Sequence, residues 1–247
     1  MALNKAKIIT ITSVKGGTGK TTLALNLAYL LSKQNKKTIL LDFDLYEGAV
    51  ATTLNLNYNH DIYTLNEDMM NNRFKEFSDY VVKYNETLDI IPAPIDPRSV
   101  SKISAKFLDI LLTRLQMQYD IILIDTNHIL DKTNLIAKDY SDEILYVMTN
   151  DLIDIKNMKT MITIHGDMGN DNYKIILNES RIASGAYTAY EITNILSRDI
   201  DYIIPKSFYI KNINKYIYDG KILVQDKAIL KSSGGNILTK IIKDILE

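Results

Sequence analysis

The sequence predicts an α/β fold, a doubly wound and mainly parallel sheet with helices on both faces, read as a single domain over residues 1–247. Three observations predict it: short aliphatic runs recur along the chain, longer amphipathic segments separate them, and a glycine-rich loop joins the first run to the first amphipathic segment. The runs at 7–13, 37–43, 88–94, 119–126, 142–149, 173–178 and 201–205 read as strands. Most hold continuous Ile, Leu and Val instead of alternating with polar residues, the mark of strands covered on both faces. Helical patterns fill 20–34, 101–118, 133–140, 153–164, 187–197, 207–218 and 236–246. Residues 55–84 are polar and less regular, and read as short helices and loops over the sheet edge. No linker, repeat or low-complexity block divides the chain.

Composition narrows the function. With 46% hydrophobic and 24% charged residues and a formal charge of −1, the chain reads as a globular protein with no global attraction for nucleic acid or acidic membranes. It has no cysteine, which excludes disulfides, iron–sulfur clusters and thiolate zinc sites. Its three histidines, His60, His128 and His165, lack metal-ligand spacing. The start is apolar too briefly for a signal peptide, and no later stretch is long enough to cross a bilayer. A cytoplasmic protein is the reading these features support.

The stretch SVKGGTGKTT, residues 13–22, lies between a predicted strand and a predicted helix. Gly16, Gly17 and Gly19 let the backbone curl so that its N–H groups point inward, where phosphate oxygens bind. The helix starting near Lys20 adds its positive end. Lys20 is placed to reach the β- and γ-phosphates, and the Thr21 hydroxyl to take a place on Mg²⁺. Val14 stands where the ordinary motif has its first glycine, and Lys15 follows it.

Two further segments bring acids to strand ends. In ILLDFDLYEG, Asp42 and Asp44 are two residues apart, a spacing that puts both on one side of an extended chain. They read either as site residues or as ordinary loop-capping acids. In YDIILIDT, four aliphatic residues precede Asp125, the arrangement of an acid that steers Mg²⁺ through water. Asn178 closes KIILN and Pro205 closes DYIIP.

KGGTGKTT resembles the deviant Walker A motif of the ParA/MinD ATPases, and the resemblance runs through nearly the whole chain. It implies a P-loop NTPase fold, ATP or ADP with Mg²⁺ as cofactors, and a nucleotide cradle of Gly16, Gly17, Thr18, Gly19, Lys20, Thr21 and Thr22. It implies that Lys15 crosses a homodimer interface to the partner's phosphates, as an arginine finger does. It further implies that Asp44 orients the attacking water, that Asp42, Thr21 and Asp125 arrange the Mg²⁺ shell, and that Asn178 and Pro205 flank the adenine. As a turn residue, Asn178 has an ordinary reading too.

The segments DLYEGAVATTLNLN and DEILYVMTNDLIDIKNMKTM are similar to the CpaE/TadZ pilus-assembly branch. That similarity implies a protein partner in a pilus or secretion apparatus and recruitment to the cell pole or the inner face of the membrane. Partition of plasmids or chromosomes, or MinD-like positioning, is the alternative within the same class; an ATP-locked scaffold that does not hydrolyse is the alternative outside it. The family's Gln, Pro and Pro are replaced by Tyr46, Asn127 and Asn150. Since proline stiffens a loop, the two asparagines predict more mobile switch segments.

Two surfaces remain. The stripe Ile237, Leu238, Ile241, Ile242, Ile245 and Leu246 of the last helix predicts packing on the sheet, because its polar side is not cationic as a membrane-surface helix requires. The segment 206–221 interleaves Lys206, Lys211, Lys215 and Lys221 with tyrosines, and reads as a solvated helix or, less simply, as a DNA-binding patch.

Overall fold

Eight strands form one sheet in the order β3-β4-β2-β5-β1-β6-β7-β8. The structure, a computed structural model, describes residues 5–181 and 187–247. In chain order the elements are β1 (Lys7–Thr12), α1 (Lys20–Ser32), β2 (Thr38–Phe43), α2 (Ala49–Thr53), α3 (Ile62–Met70), β3 (Val82–Lys83), β4 (Leu88–Ile91), α4 (Ala105–Leu115), β5 (Ile121–Thr126), α5 (Lys132–Tyr140), β6 (Glu143–Met148), α6 (Leu152–Met168), β7 (Tyr173–Asn178), α7 (Ala189–Leu196), β8 (Tyr202–Ile204), α8 (Ile213–Tyr218), α9 (Lys227–Leu230) and α10 (Ser233–Leu246). Every pairing is parallel except β3 with β4.

Alternation within the strands sorts side chains onto the two faces. Ile9 and Ile11 of β1 join α1 and α10 on one face, while Ile8 joins α3 and α4 on the other. Ile144, Tyr146 and Met148 of β6 pack under α6 and α7. β1, β2, β5 and β6 are buried nearly throughout, as continuous aliphatic runs require. Their carboxyl ends lie side by side, where open parallel sheets bind ligands.

The departures from expectation are local. The helix predicted over 101–118 begins only at Ala105, because Ser104 caps it by accepting from Phe107 N–H; a 3₁₀ turn, Pro97–Lys102, precedes it. The helix predicted over 207–218 breaks into a 3₁₀ turn, Lys206–Phe208, and α8. Phe208 turns inward against Gly234 of α10, where an added methyl carbon would lie 2.1 Å from its ring. Within 55–84, Asp61 starts α3 with a capping box and also accepts from Ile95 N–H at 2.7 Å, pinning the turn after β4. The antiparallel β3 is too short for its pattern to register in the sequence, and so are α2 and α9.

The C-terminal stripe packs as predicted. Leu238, Ile241, Ile242 and Ile245 are buried with α1 residues and with Tyr202 and Ile204 of β8, Ile237 is partly buried, and only Leu246 reaches the surface. Among the described residues, no helix is long and apolar enough to cross a membrane. Truncating Ile241 to Ala is expected to cost about 2–5 kcal/mol in a denaturant titration; a stripe that served a membrane surface instead would leave the midpoint unchanged.

Candidate nucleotide site

The site grows from the carboxyl end of β1. Residues 13–19 loop into α1 with Gly17 at φ +75° and Gly19 at φ +100°, conformations that a side chain would strain. Gly19 is the N-cap of α1 and supplies no side-chain acceptor, so the helix's first N–H groups are left for an anion. Inside the loop the Lys20 ammonium donates to Ser13 Oγ at 3.0 Å, and Ser13 Oγ donates to the Lys15 carbonyl at 2.6 Å. Burial lowers the pKa of Lys20, opposed by the charges of Asp125, Asp44, Asp154 and Glu47.

Three acids cluster at and just beyond the ends of β2 and β5. Asp125, the fifth residue of β5, is in register with Ile11 of β1 and with Asp42 of β2. Asp125 and Asp42 are both fully buried. Asp42 accepts from Asp44 N–H at 3.2 Å and from Val50 N–H at 3.0 Å, so it braces the 44–50 turn. Burial, with the charge of Asp125 second, pushes its pKa well up. Neither oxygen of Asp125 has a hydrogen-bond partner of good geometry. Burial raises its pKa to about 7, while the nearby Thr21 hydroxyl and Lys20 hold it down. Alternation along a strand does not place Asp44, because β2 ends at Phe43; the Asp42 bond to its N–H does. Asp44 is half-buried, its pKa raised by burial and Glu47 and lowered by Lys20 and His128.

This donor set fits Mg²⁺ with a nucleotide. Two adjacent buried carboxylates, one of them orphaned, beside a threonine hydroxyl call for a hard cation with oxygen ligands. Among the described residues no three His, Cys, Asp or Glu side chains gather as a metal site, so such an ion needs phosphate oxygens to complete its shell.

The remaining predicted residues fall around this centre. Thr18 is buried, and its carbonyl accepts from Asn178 Nδ2 at 2.8 Å; Asn178 Oδ1 in turn accepts from Ser180. Asn178 therefore ties the loop to β7, a role the sequence reading missed. With Gly19, Thr22, Ile204, Phe208 and Tyr209 it lines a narrow cleft beside the loop. Pro205 joins Ile204, which lines that cleft, to the 3₁₀ turn and is held in extended backbone.

Lys15 points out of the site, 3.0 Å from Asp151, with both side chains about two-fifths exposed. Asp151 caps α6 through Ile153 and Asp154 N–H, and buried Asp154 accepts from Thr149 N–H and hydroxyl. The sequence reading missed this pair of acids; the signal was an Asp directly before an amphipathic run. The two asparagines expected to loosen their loops each make side-chain hydrogen bonds. Asn127 is buried and accepts from Ile129 N–H and from Asn134 Nδ2, and buried Asn150 donates to the Tyr187 carbonyl.

A pH dependence follows from Asp125. Its folded pKa lies above the ordinary carboxylate value, so the nucleotide-free protein loses stability as pH rises from about 4 to about 7 through this group. Asp125→Asn is expected to raise the nucleotide-free melting temperature at pH 8, with the gain vanishing below pH ~4. Melting curves across that range check it.

The chain matches the AAA domain family over residues 6–176. It is 34% identical over 144 residues to a virulence plasmid ParA family protein of Chlamydia psittaci, an alignment covering 54% of this chain and about half, 54%, of that relative's length. Its fold is that of the Pyrococcus horikoshii septum site-determining protein MinD complexed with Mg-ADP, at TM-score 0.80 and 23% identity over 97% of this chain and 96% of the other. A plasmid partition protein of Borrelia burgdorferi bound to AMPPNP superposes at TM-score 0.75 and 25% identity, covering 97% and 100%. The eight-stranded, mostly parallel sheet with its glycine loop after the first strand is the frame these relatives share, and the chain belongs to the AAA domain family, among relatives of the ParA and MinD type.

Proposed function

We propose that this protein is a Mg²⁺-ATP-dependent ATPase that dimerises across its nucleotide and positions cargo. The observation that carries the reading is the contrast between its two loop lysines. Lys20 is buried in the loop facing orphaned Asp125, whereas Lys15 is held at the rim by Asp151, available to a second subunit. The glycine loop is a deviant Walker A motif on this reading.

Lys20, preset by Ser13, neutralises charge on the β- and γ-phosphates, and the first turn of α1 binds them through N–H groups. Thr21 and Asp125, with Asp42 behind, hold the metal shell. When bound, Mg²⁺ supplies charge neutralisation at the transferring phosphate. Asp44, exposed enough to meet solvent, orients the attacking water. Lys15 leaves Asp151 and reaches the partner's phosphates, so that ATP becomes part of the interface. The adenine occupies the cleft beside Asn178 and Pro205.

Plasmid-partition and septum-site relatives support positioning as the task. The CpaE/TadZ-like segments favour a pilus or secretion apparatus as cargo, with a protein partner of that system, in the cytoplasm near the pole or inner membrane face. Partition is the alternative, with the lysines at 206–221 as the surface to test against DNA.

Light scattering with ADP and with ATP–Mg²⁺ tests the core of this reading. Wild type is expected to double its mass only with ATP, and Lys15→Ala to remain a monomer; a monomer in every condition would remove the dimer. Asp44→Ala is expected to lower hydrolysis by about 10²-fold or more with ATP binding retained. If wild type dimerises with ATP and Asp44→Ala changes nothing, the scaffold that does not hydrolyse is the better account. Asp151→Asn releases an exposed ion pair worth about 0.2–1 kcal/mol in each of the two subunits, so the ATP dimer is expected to tighten by roughly 2- to 30-fold in a dilution series.

A further inference from the structure

We propose that His128 is a contact for the terminal phosphate, supplied by the loop after β5, and that it helps the site tell a triphosphate from a diphosphate. The inference rests on the nucleotide reading above. A methyl carbon placed on Gly16 would lie 3.5 Å from Cε1 and 3.6 Å from Nδ1 of His128, so the imidazole sits directly over the phosphate loop. Beside it, a methyl carbon on Gly17 would meet nothing within 4 Å, so space above the loop is open. On its other flank, His128 is near enough to Asp44 for an imidazolium charge to favour that carboxylate, alongside Lys20 and against Glu47. The ring thus stands between the backbone that cradles phosphates and the acid assigned to the attacking water.

Its backbone is held in place. Just before it, Thr126 Oγ1 donates to the Ile11 carbonyl at 3.1 Å. Asn127 Oδ1 accepts from Ile129 N–H at 2.8 Å, spanning His128, and from Asn134 Nδ2 at 2.6 Å in a buried contact. A free surface histidine needs no such anchoring. Yet among the described residues no hydrogen bond engages the imidazole itself, although its exposed ring offers at least one N–H donor. Lys20 approaches phosphate from within the loop and Lys15 is drawn aside to Asp151. His128 is the donor left on the flank facing Asp44, where only a triphosphate extends.

The test compares Mg²⁺–AMPPNP and Mg²⁺–ADP binding by calorimetry for wild type, His128→Ala and His128→Gln, each also carrying Lys15→Ala so that dimerisation does not enter. The position is exposed, so unchanged melting temperatures are expected and verify folding. His128→Ala is expected to weaken AMPPNP about 10-fold, the scale of one charge-assisted hydrogen bond, with ADP unchanged within about twofold. His128→Gln, which restores an N–H donor, is expected to recover AMPPNP affinity to within about threefold of wild type. Equal weakening of both nucleotides, or none, overturns the contact. The same comparison is repeated with Lys15 intact, and an effect seen only there also overturns the contact, by assigning His128 to the subunit interface. A wild-type protein that binds AMPPNP but hydrolyses no ATP sinks the ATPase reading and leaves this comparison standing.

Discussion

Two carboxylates buried side by side at the ends of β2 and β5 constrain everything around them. Asp42 and Asp125 are register partners on adjacent parallel strands, so the sheet forces their charges together in a medium that solvates them poorly. Asp42 is made tolerable by two backbone N–H groups, and in accepting them it shapes the 44–50 turn that presents Asp44. Asp125 has no such relief. Lys20, itself desolvated, answers Asp125 and Asp44 from inside the loop. The nucleotide-free site is thus a set of poorly compensated charges that a metal–phosphate complex completes. Strain of this kind is stored where function needs it.

Asparagines fasten the loops around that centre. Asn127 ties the loop after β5 to α5, Asn150 ties the loop after β6 to the Tyr187 carbonyl, and Asn178 ties the end of β7 to the phosphate loop. Asn55 donates to the carbonyls of Ile217 and Tyr218, joining the end of α2 to α8. An asparagine offers a donor and an acceptor on one short planar group, so it can bridge two backbone segments where proline stiffens only its own.

Long periodic signals survived translation into structure, and short ones did not. Continuous aliphatic runs placed β1, β2 and β4 to β8 within a few residues, and the C-terminal stripe packed where its period pointed. The two-residue β3, the short α2 and α9, and the break at Phe208 lack the length for a period to register. At the site, the loop, both acids at strand ends and the cleft residues were legible, because spacing along one loop or strand limits what neighbours can do. Ser13 under Lys20, Asp151 beside Lys15 and His128 over Gly16 were not, since each depends on how separate loops end up against one another.

By itself, the sequence determined the fold class, the phosphate loop and its acids, since these follow from local spacing and from hydrophobic period. Tertiary structure alone decided that Asp42 lies in register with Asp125, that Lys15 rests on a helix cap 136 residues away, and that Asn127 and Asn150 bond to Asn134 and to the Tyr187 carbonyl. The physical reason is that register, desolvation and side-chain bridging are properties of pairs brought together by chain crossovers. No spacing along one segment encodes them.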